Sequence, residues 1–238
     1  MNSSSIERWA GLALISAGVL ELVVNSVLTP LLPRGVPFAQ TIVSPVFAWR
    51  QSIASACAAL LLFGTVGLYL RQSQKAGRLG AVAFALAFCG SALLLGIEWA
   101  QLFDIRDFAR RAPDTLNALN AAHGLSLSDI GGLIVLGTFT IGWLAIAAVT
   151  IWTRIPSRMA AGMVIIGFFL IPILRPILPG LLGPIVGNVV LGGGWTWLGL
   201  RLWRERAADW RPTPDLSSGL NRSMQHLGSD PTRIENKD

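Results

Sequence analysis

The stretch LLLGIEWAQLFDIRDFARR, residues 93–111, decides how the chain is read. A run of hydrocarbon meets one glutamate, Glu98, and then a burst of charge that begins at Asp104. The apolar part, joined to the residues before it, is long enough to cross a bilayer, which takes roughly 20 residues. The charged part reads as the point where such a helix leaves the membrane. Glu98 lies just inside that point, and acids within membrane helices are expected to be paired, protonated or hydrated.

Working outward, the same pattern repeats. Apolar runs occupy 9–28, 46–70, 79–103, 130–152, 159–174 and 185–203. The expected fold is therefore all-α, an integral membrane bundle of six transmembrane helices. Composition agrees: 53% of the 238 residues are hydrophobic and 13% are charged, against about 25% charged in a soluble domain. The fifth run is short and carries Pro172 near its end, so it is expected to tilt or kink. The first run ends in LTPLLP without a small-residue cleavage site and reads as an uncleaved helix.

Orientation follows from basic residues in short connections. RQSQKAGR (71–78), TRIPSR (153–158) and the cluster Arg201, Arg204 and Arg206 all fall on one side if six runs cross. The opposite connections hold Arg34, Arg175 and a longer segment in which Arg106, Arg110 and Arg111 are balanced by Asp104, Asp107 and Asp114. Both termini are thus expected in the cytoplasm, and the bacterial inner membrane is the expected setting. Tryptophans 9, 99, 152 and 203 lie near run ends, as interfacial belts do. Residues 1–206 form the membrane domain. Residues 207–238, polar and rich in Pro, Ser, Asp and Arg, are expected to be a disordered cytoplasmic tail. Between the third and fourth runs, PDTLNALNAAHG (113–124) predicts a short interfacial helix capped by Asp114 or Thr115 and stopped at Gly124. LTPLLP (28–33) resembles LRPILP (174–179), but in a chain so rich in Leu and Pro this does not amount to an internal repeat.

Membrane helices pack through small residues. Gly11, Leu14, Gly18, Glu21 and Asn25 share one helical face; so do Gly80, Ala83, Ala87, Ser91, Leu94 and Glu98; so do Asn188, Gly192, Thr196 and Gly199. Three helices thus carry a polar side chain toward the outer end of a packing face, on the order of 5–12 Å inside it at about 1.5 Å per residue. Ser52, Ser55, Ala56 and Ala59 form the small stripe of the second run, with Arg50 nearly opposite. Arg50 either pairs with a carboxylate or snorkels to headgroups. Arg175 is in the same position. Asp129 in SLSDIGG suits a helix first turn, where Ser126 or Ser128 caps. The candidate polar pocket is Glu21, Asn25, Arg50, Glu98, Gln101, Asp129, Arg175 and Asn188. His123 is the one outer histidine available for proton transfer.

The cytoplasmic half of each run lacks Asp, Glu, Lys, Arg and His, apart from Arg201 at the very end of the sixth, which argues against a proton-coupled carrier or an ion channel. Two distant histidines and two cysteines without a CxxC pair indicate no metal site, no cofactor and no disulfide framework. No hydrolase, metalloprotease or phosphate-loop motif is present. Basic residues scattered between apolar runs do not point to nucleic acid. The leading expectation is a protein that binds a membrane lipid or hydrophobic small molecule in an outward-facing pocket, or acts as a membrane partner subunit. The alternatives are a membrane enzyme using Glu98 or Glu21 in acid–base chemistry on a lipid-soluble substrate, and a transporter of a small neutral solute.

Overall fold

A computed structural model describes residues 3–122, 126–155 and 157–209. His123, Gly124 and the tail from 210 onward lie outside the described residues. The described chain is all-helical, with no strand. Helix α1 spans Ser3–Leu22 and continues as a wider π-helical turn, Val23–Leu28; α2 is Phe38–Val43; α3 is Pro45–Ala100. A second π-helical turn, Gln101–Ile105, carries α3 into α4, Arg106–Arg111. Then follow α5 (Pro113–Ala121), α6 (Leu127–Thr153), α7 (Arg158–Leu174) and α8 (Leu182–Asp209).

Among the described residues, three helices are long and apolar enough to cross a membrane: Ser5–Leu28, Pro45–Arg111 and Asp129–Thr153. The second is a hairpin. Gly77 sits at φ 53°, ψ −140°. That is outside helical space and open only to glycine at low cost. Residues 51 and 98 would be roughly 70 Å apart in a straight helix, yet Gln51 Nε2 donates to Glu98 Oε2 at 2.6 Å. Tyr69 likewise stacks on Phe84 at 4.6 Å between ring centroids. The 71–78 segment, which the sequence suggests as a loop, is helical apart from this one-residue break. A first arm (45–76) and a second arm (78–100) therefore lie antiparallel.

Six rods result, and their contacts close a ring. Ala17 and Leu14 of α1 meet Cys57 and Gly64 of the first arm. Gly90 and Ser91 of the second arm meet Phe139 and Trp143 of α6. Phe139 meets Phe168 of α7, Gly167 of α7 meets Leu191 of α8, and Gly192 and Gly199 of α8 return to Gly18 and Gly11 of α1. Each pairing runs antiparallel. Glycines make these seams close: a Cβ on Gly167 would stand 2.6 Å from the Leu191 backbone nitrogen.

The small stripes of α1, the second arm and α8 all turn inward, but the first arm differs from expectation. Its Ser52 and Ala56 are exposed, whereas Gln51, Ala54, Ser55, Cys57, Ala58 and Leu61 are buried. The exterior is apolar, with Trp49, Phe63, Leu79, Ile141 and Met159 each more than half exposed. Helix α5 starts at Pro113, a favoured first position, instead of being capped by Asp114 or Thr115. Its Asn117 accepts from the Ala39 backbone N–H at 2.9 Å, tying α5 to α2.

Candidate functional site

The ring encloses a cavity of about 810 Å³ at the end where α1 finishes and the first arm begins. All six rods line it. Glu21 and Asn25 come from α1, Arg50 and Cys57 from the first arm, Leu94 and Glu98 from the second, and Leu136, Phe139 and Thr140 from α6. Phe168, Ile171 and Pro172 come from α7, Arg175 and Pro176 from the turn after it, and Asn188, Leu191 and Trp195 from α8.

Two polar groups are built on its wall. In the first, Arg50 holds a fixed position. Its Nε donates to Thr29 Oγ1 at 3.1 Å, its Nη1 donates to Gln51 Oε1, and the same nitrogen lies 3.9 Å from Glu98 Oε2. Thr29 is oriented in turn by donating to the Val24 carbonyl at 2.8 Å. Gln51, fully buried, is the hub: besides Glu98 it donates to Gln101 Oε1 at 2.7 Å. Each partner uses the donors or acceptors its chemistry provides, so Arg50, Gln51, Glu98, Gln101 and Thr29 form one connected group.

In the second group, Asn25 Nδ2 donates to Glu21 Oε1 at 2.6 Å. The Cys57 thiol donates to the Ala17 carbonyl at 3.3 Å and lies 3.9 Å from Glu21 Oε2. Among the described residues Glu21 has no ion pair, so its carboxyl group borders the cavity without a cation of its own.

Each acid stands within three residues of a π-helical turn, Glu21 before Val23–Leu28 and Glu98 before Gln101–Ile105. Such turns insert an extra residue and occur frequently at functional sites. Asn25 lies within the first turn and Gln101 opens the second, its backbone N–H still bonding the Ile97 carbonyl.

Below the polar groups the wall is aromatic. Trp195 meets Trp143, Phe139 and Phe168 at 5.2, 6.2 and 6.2 Å between centroids. Trp143 and Trp195 are fully buried. Trp143 donates to Ser91 Oγ, but the Trp195 indole N–H is buried with no acceptor among the described residues.

Of the eight pocket candidates, Glu21, Asn25, Arg50, Glu98, Arg175 and Asn188 line this cavity. Gln101 does not; it supports Gln51 from behind. Asp129 is elsewhere and is corrected: it closes a reciprocal capping box with Ser126 at the start of α6, where it satisfies backbone donors. Sequence spacing missed Gln51, Thr29 and Cys57. Gln51 is a polar residue inside an apolar run beside Arg50, which was the available signal. Two features at the far end also escaped it: Glu7, buried and 3.9 Å from Arg71, and Gln72, which donates to Thr150 at 2.8 Å. No group of three or more metal-ligating side chains occurs among the described residues. In comparison with known proteins, the chain matches no family model, no curated protein and no solved structure.

Proposed function

We propose that the chain is a multi-pass integral membrane protein that binds a lipid-soluble amphiphile in the cavity between its six rods. In this reading all six rods cross the membrane, including the 17-residue α7 and the 28-residue α8, with both termini in the cytoplasm and α5 at the outer interface. The apolar exterior supports it, because contiguous exposed hydrocarbon on this scale is unsuited to water. So does the placing of Arg71, Lys75, Arg78, Arg154 and Arg158 at the end opposite the cavity, as basic residues on a cytoplasmic side would be.

The observation that carries the binding function is the cavity's two-part lining. Its volume of about 810 Å³ falls among those of ligand sites. A polar rim of Glu21, Asn25, Arg50, Glu98 and Asn188 stands above an aromatic wall. That order suits a molecule with a polar head and an apolar body.

Native mass spectrometry of the protein from lipid nanodiscs tests this, comparing wild type with Glu21→Gln/Glu98→Gln. A bound amphiphile that is retained by wild type and lost by the variant is the expected result. An empty wild-type protein refutes the binding role and leaves the acids as structural groups, with a partner-subunit role the better reading.

The enzyme reading is favoured by one feature, the unpaired Glu21 carboxyl group beside the Cys57 thiol. If Glu21 transfers protons in a reaction that adds or removes atoms, such as hydration or elimination, the molecule bound to Glu21→Gln differs in mass from the one bound to wild type. An identical mass in both removes catalysis of that kind by Glu21.

A further inference from the structure

We propose that the gap between α6 and α7 is a lateral portal through which a phospholipid reaches the cavity from the surrounding leaflet, with its phosphate held by Arg175. The proposal rests on the binding role above and specifies its ligand and its route.

The seams of the ring are not alike. Glycine-mediated backbone contacts close α1 against α8, α7 against α8, and the second arm against α6. The first arm is joined to α1 through Gly64 and Gly67, and to the second arm by the Gln51–Glu98 hydrogen bond and the Tyr69–Phe84 stack. The α6/α7 seam has none of this in its outer half. Gly131, Gly132 and Gly137 of α6 have nothing within 4 Å of where a Cβ would stand. The first firm contact between the two helices is the edge-on pair Phe139–Phe168, at 5.9 Å.

Above that pair, cavity-lining residues are also surface residues. Leu136 is 57% exposed, and Arg175 and Pro176 are exposed as well, beside Pro172. A side chain that both lines a cavity and faces outward marks an opening. Pro172 also removes a helical hydrogen-bond donor at this point. The opening faces sideways between two apolar helices, where the surroundings are hydrocarbon.

The headgroup chemistry follows from charge. Arg50 is already engaged by Glu98, Gln51 and Thr29. Arg175 lines the mouth and has no ion pair or hydrogen bond among the described residues. A guanidinium matches a phosphate with two parallel donors. A phospholipid would place its phosphate at the mouth, one acyl chain along Leu136 and the aromatic wall, and the remainder in the gap.

The test uses the full chain, purified from nanodiscs made of equal parts phosphatidylglycerol and phosphatidylcholine, with retained lipid read by native mass spectrometry. Arg175→Gln removes the phosphate contact. Leu136→Trp narrows the gap at an exposed position that the fold does not depend on. Phe63→Trp, exposed on the first arm, is the control. Wild type and the control are expected to retain phospholipid, and the two portal variants about tenfold less, the loss of one charge-assisted contact or of the route. Phospholipid retained equally by Arg175→Gln and Leu136→Trp, or a retained amphiphile without phosphorus, overturns the portal and leaves the cavity reading in place. No retained amphiphile in wild type overturns the cavity reading and the portal with it. Unchanged thermal melting of both variants confirms that lost lipid is not lost fold; if Leu136→Trp melts early, the smaller enlargement Leu136→Phe replaces it.

Discussion

Replacing Gln51 by Leu removes the one side chain that joins Arg50, Glu98 and Gln101. The volume hardly changes, so packing is conserved and the effect is polar. Three hydrogen bonds are lost at a residue with no solvent exposure. In a soluble core each would contribute about 1 kcal/mol. Between membrane helices the average is nearer to about 0.6 kcal/mol, because the separated helices also find partners. Three such bonds total about 2 kcal/mol. Arg50 and Glu98 border the cavity, so water reaches them and the further penalty for leaving them unmet is small. The expected loss is about 2–3 kcal/mol, a fall in melting temperature of roughly 5–10 °C for a chain of this size. The assay is thermal unfolding in detergent followed by a thiol-reactive dye, in a Cys89→Ser background so that the buried Cys57 reports the opening of the bundle. Glu98→Leu is combined with Gln51→Leu in a double-mutant cycle. A coupling energy of about 0.6 kcal/mol or more is expected. A Gln51→Leu protein that melts within about 1 °C of wild type, or strict additivity with Glu98→Leu, refutes the idea that Gln51 clamps the two arms.

Gly18→Leu drives a side chain into the Gly192 carbonyl, whereas Gly137→Leu has nothing within 4 Å. The first is expected to destabilise by at least about 3 kcal/mol or to prevent assembly and the second to be neutral; the melting curves of the pair check this. Gly77→Ala places a Cβ on a left-handed backbone, at φ 53°, ψ −140°. It should cost about 1–3 kcal/mol of strain, read in the same unfolding assay. Ser126→Ala removes the hydroxyl that caps α6. It should lower stability by about 1 kcal/mol, with faster amide exchange confined to the first turn of that helix.

The helices were legible because each run, even the short fifth, is apolar and bounded by charge or proline. The inward faces of α1, the second arm and α8 were legible too, since close approach of backbones demands small side chains and those sequences carry them at helical spacing. The first arm shows where this fails. Size alone selected Ser52, Ser55, Ala56 and Ala59, yet the arm buries Gln51, Cys57 and Leu61. A large or polar residue goes inside when a neighbouring helix supplies a hollow or a hydrogen-bond partner, and Gln51 has Glu98 and Gln101 for that purpose. One helix's sequence does not name its neighbour. The π-helical turns were also invisible, because an i→i+5 bond leaves no compositional mark. They matter here because each begins within three residues of a cavity-lining acid. Asp129 was legible as a helix cap, and Ser126 made it one, so counting it in the pocket gave its charge too much weight.

The cavity's deep end bears on the choice between holding a ligand and passing one through. Beyond Phe139 and Phe168 stand Trp195 and Trp143, and past them Leu68 and Leu202 are fully buried. Thr65, also fully buried, already donates to the Leu62 carbonyl, and Gln72 with Thr150 stands about 10 Å further along α6. Their hydrogen bond to each other is already made. A hydrated path through this layer would have to wet much of four aromatic side chains, each of which buries about 150–250 Å². Exposing half of that area costs on the order of 10 kcal/mol at about 25 cal/mol per Å². Micromolar binding supplies only about 8 kcal/mol. A ligand bound at the polar rim therefore lacks the free energy to part the aromatic layer by its own affinity, and no ionisable group in that layer offers a coupled proton. Exchange sideways through the α6/α7 gap wets none of these rings. The economical reading of this bundle is a site filled and emptied from the membrane, with the aromatic layer as its floor.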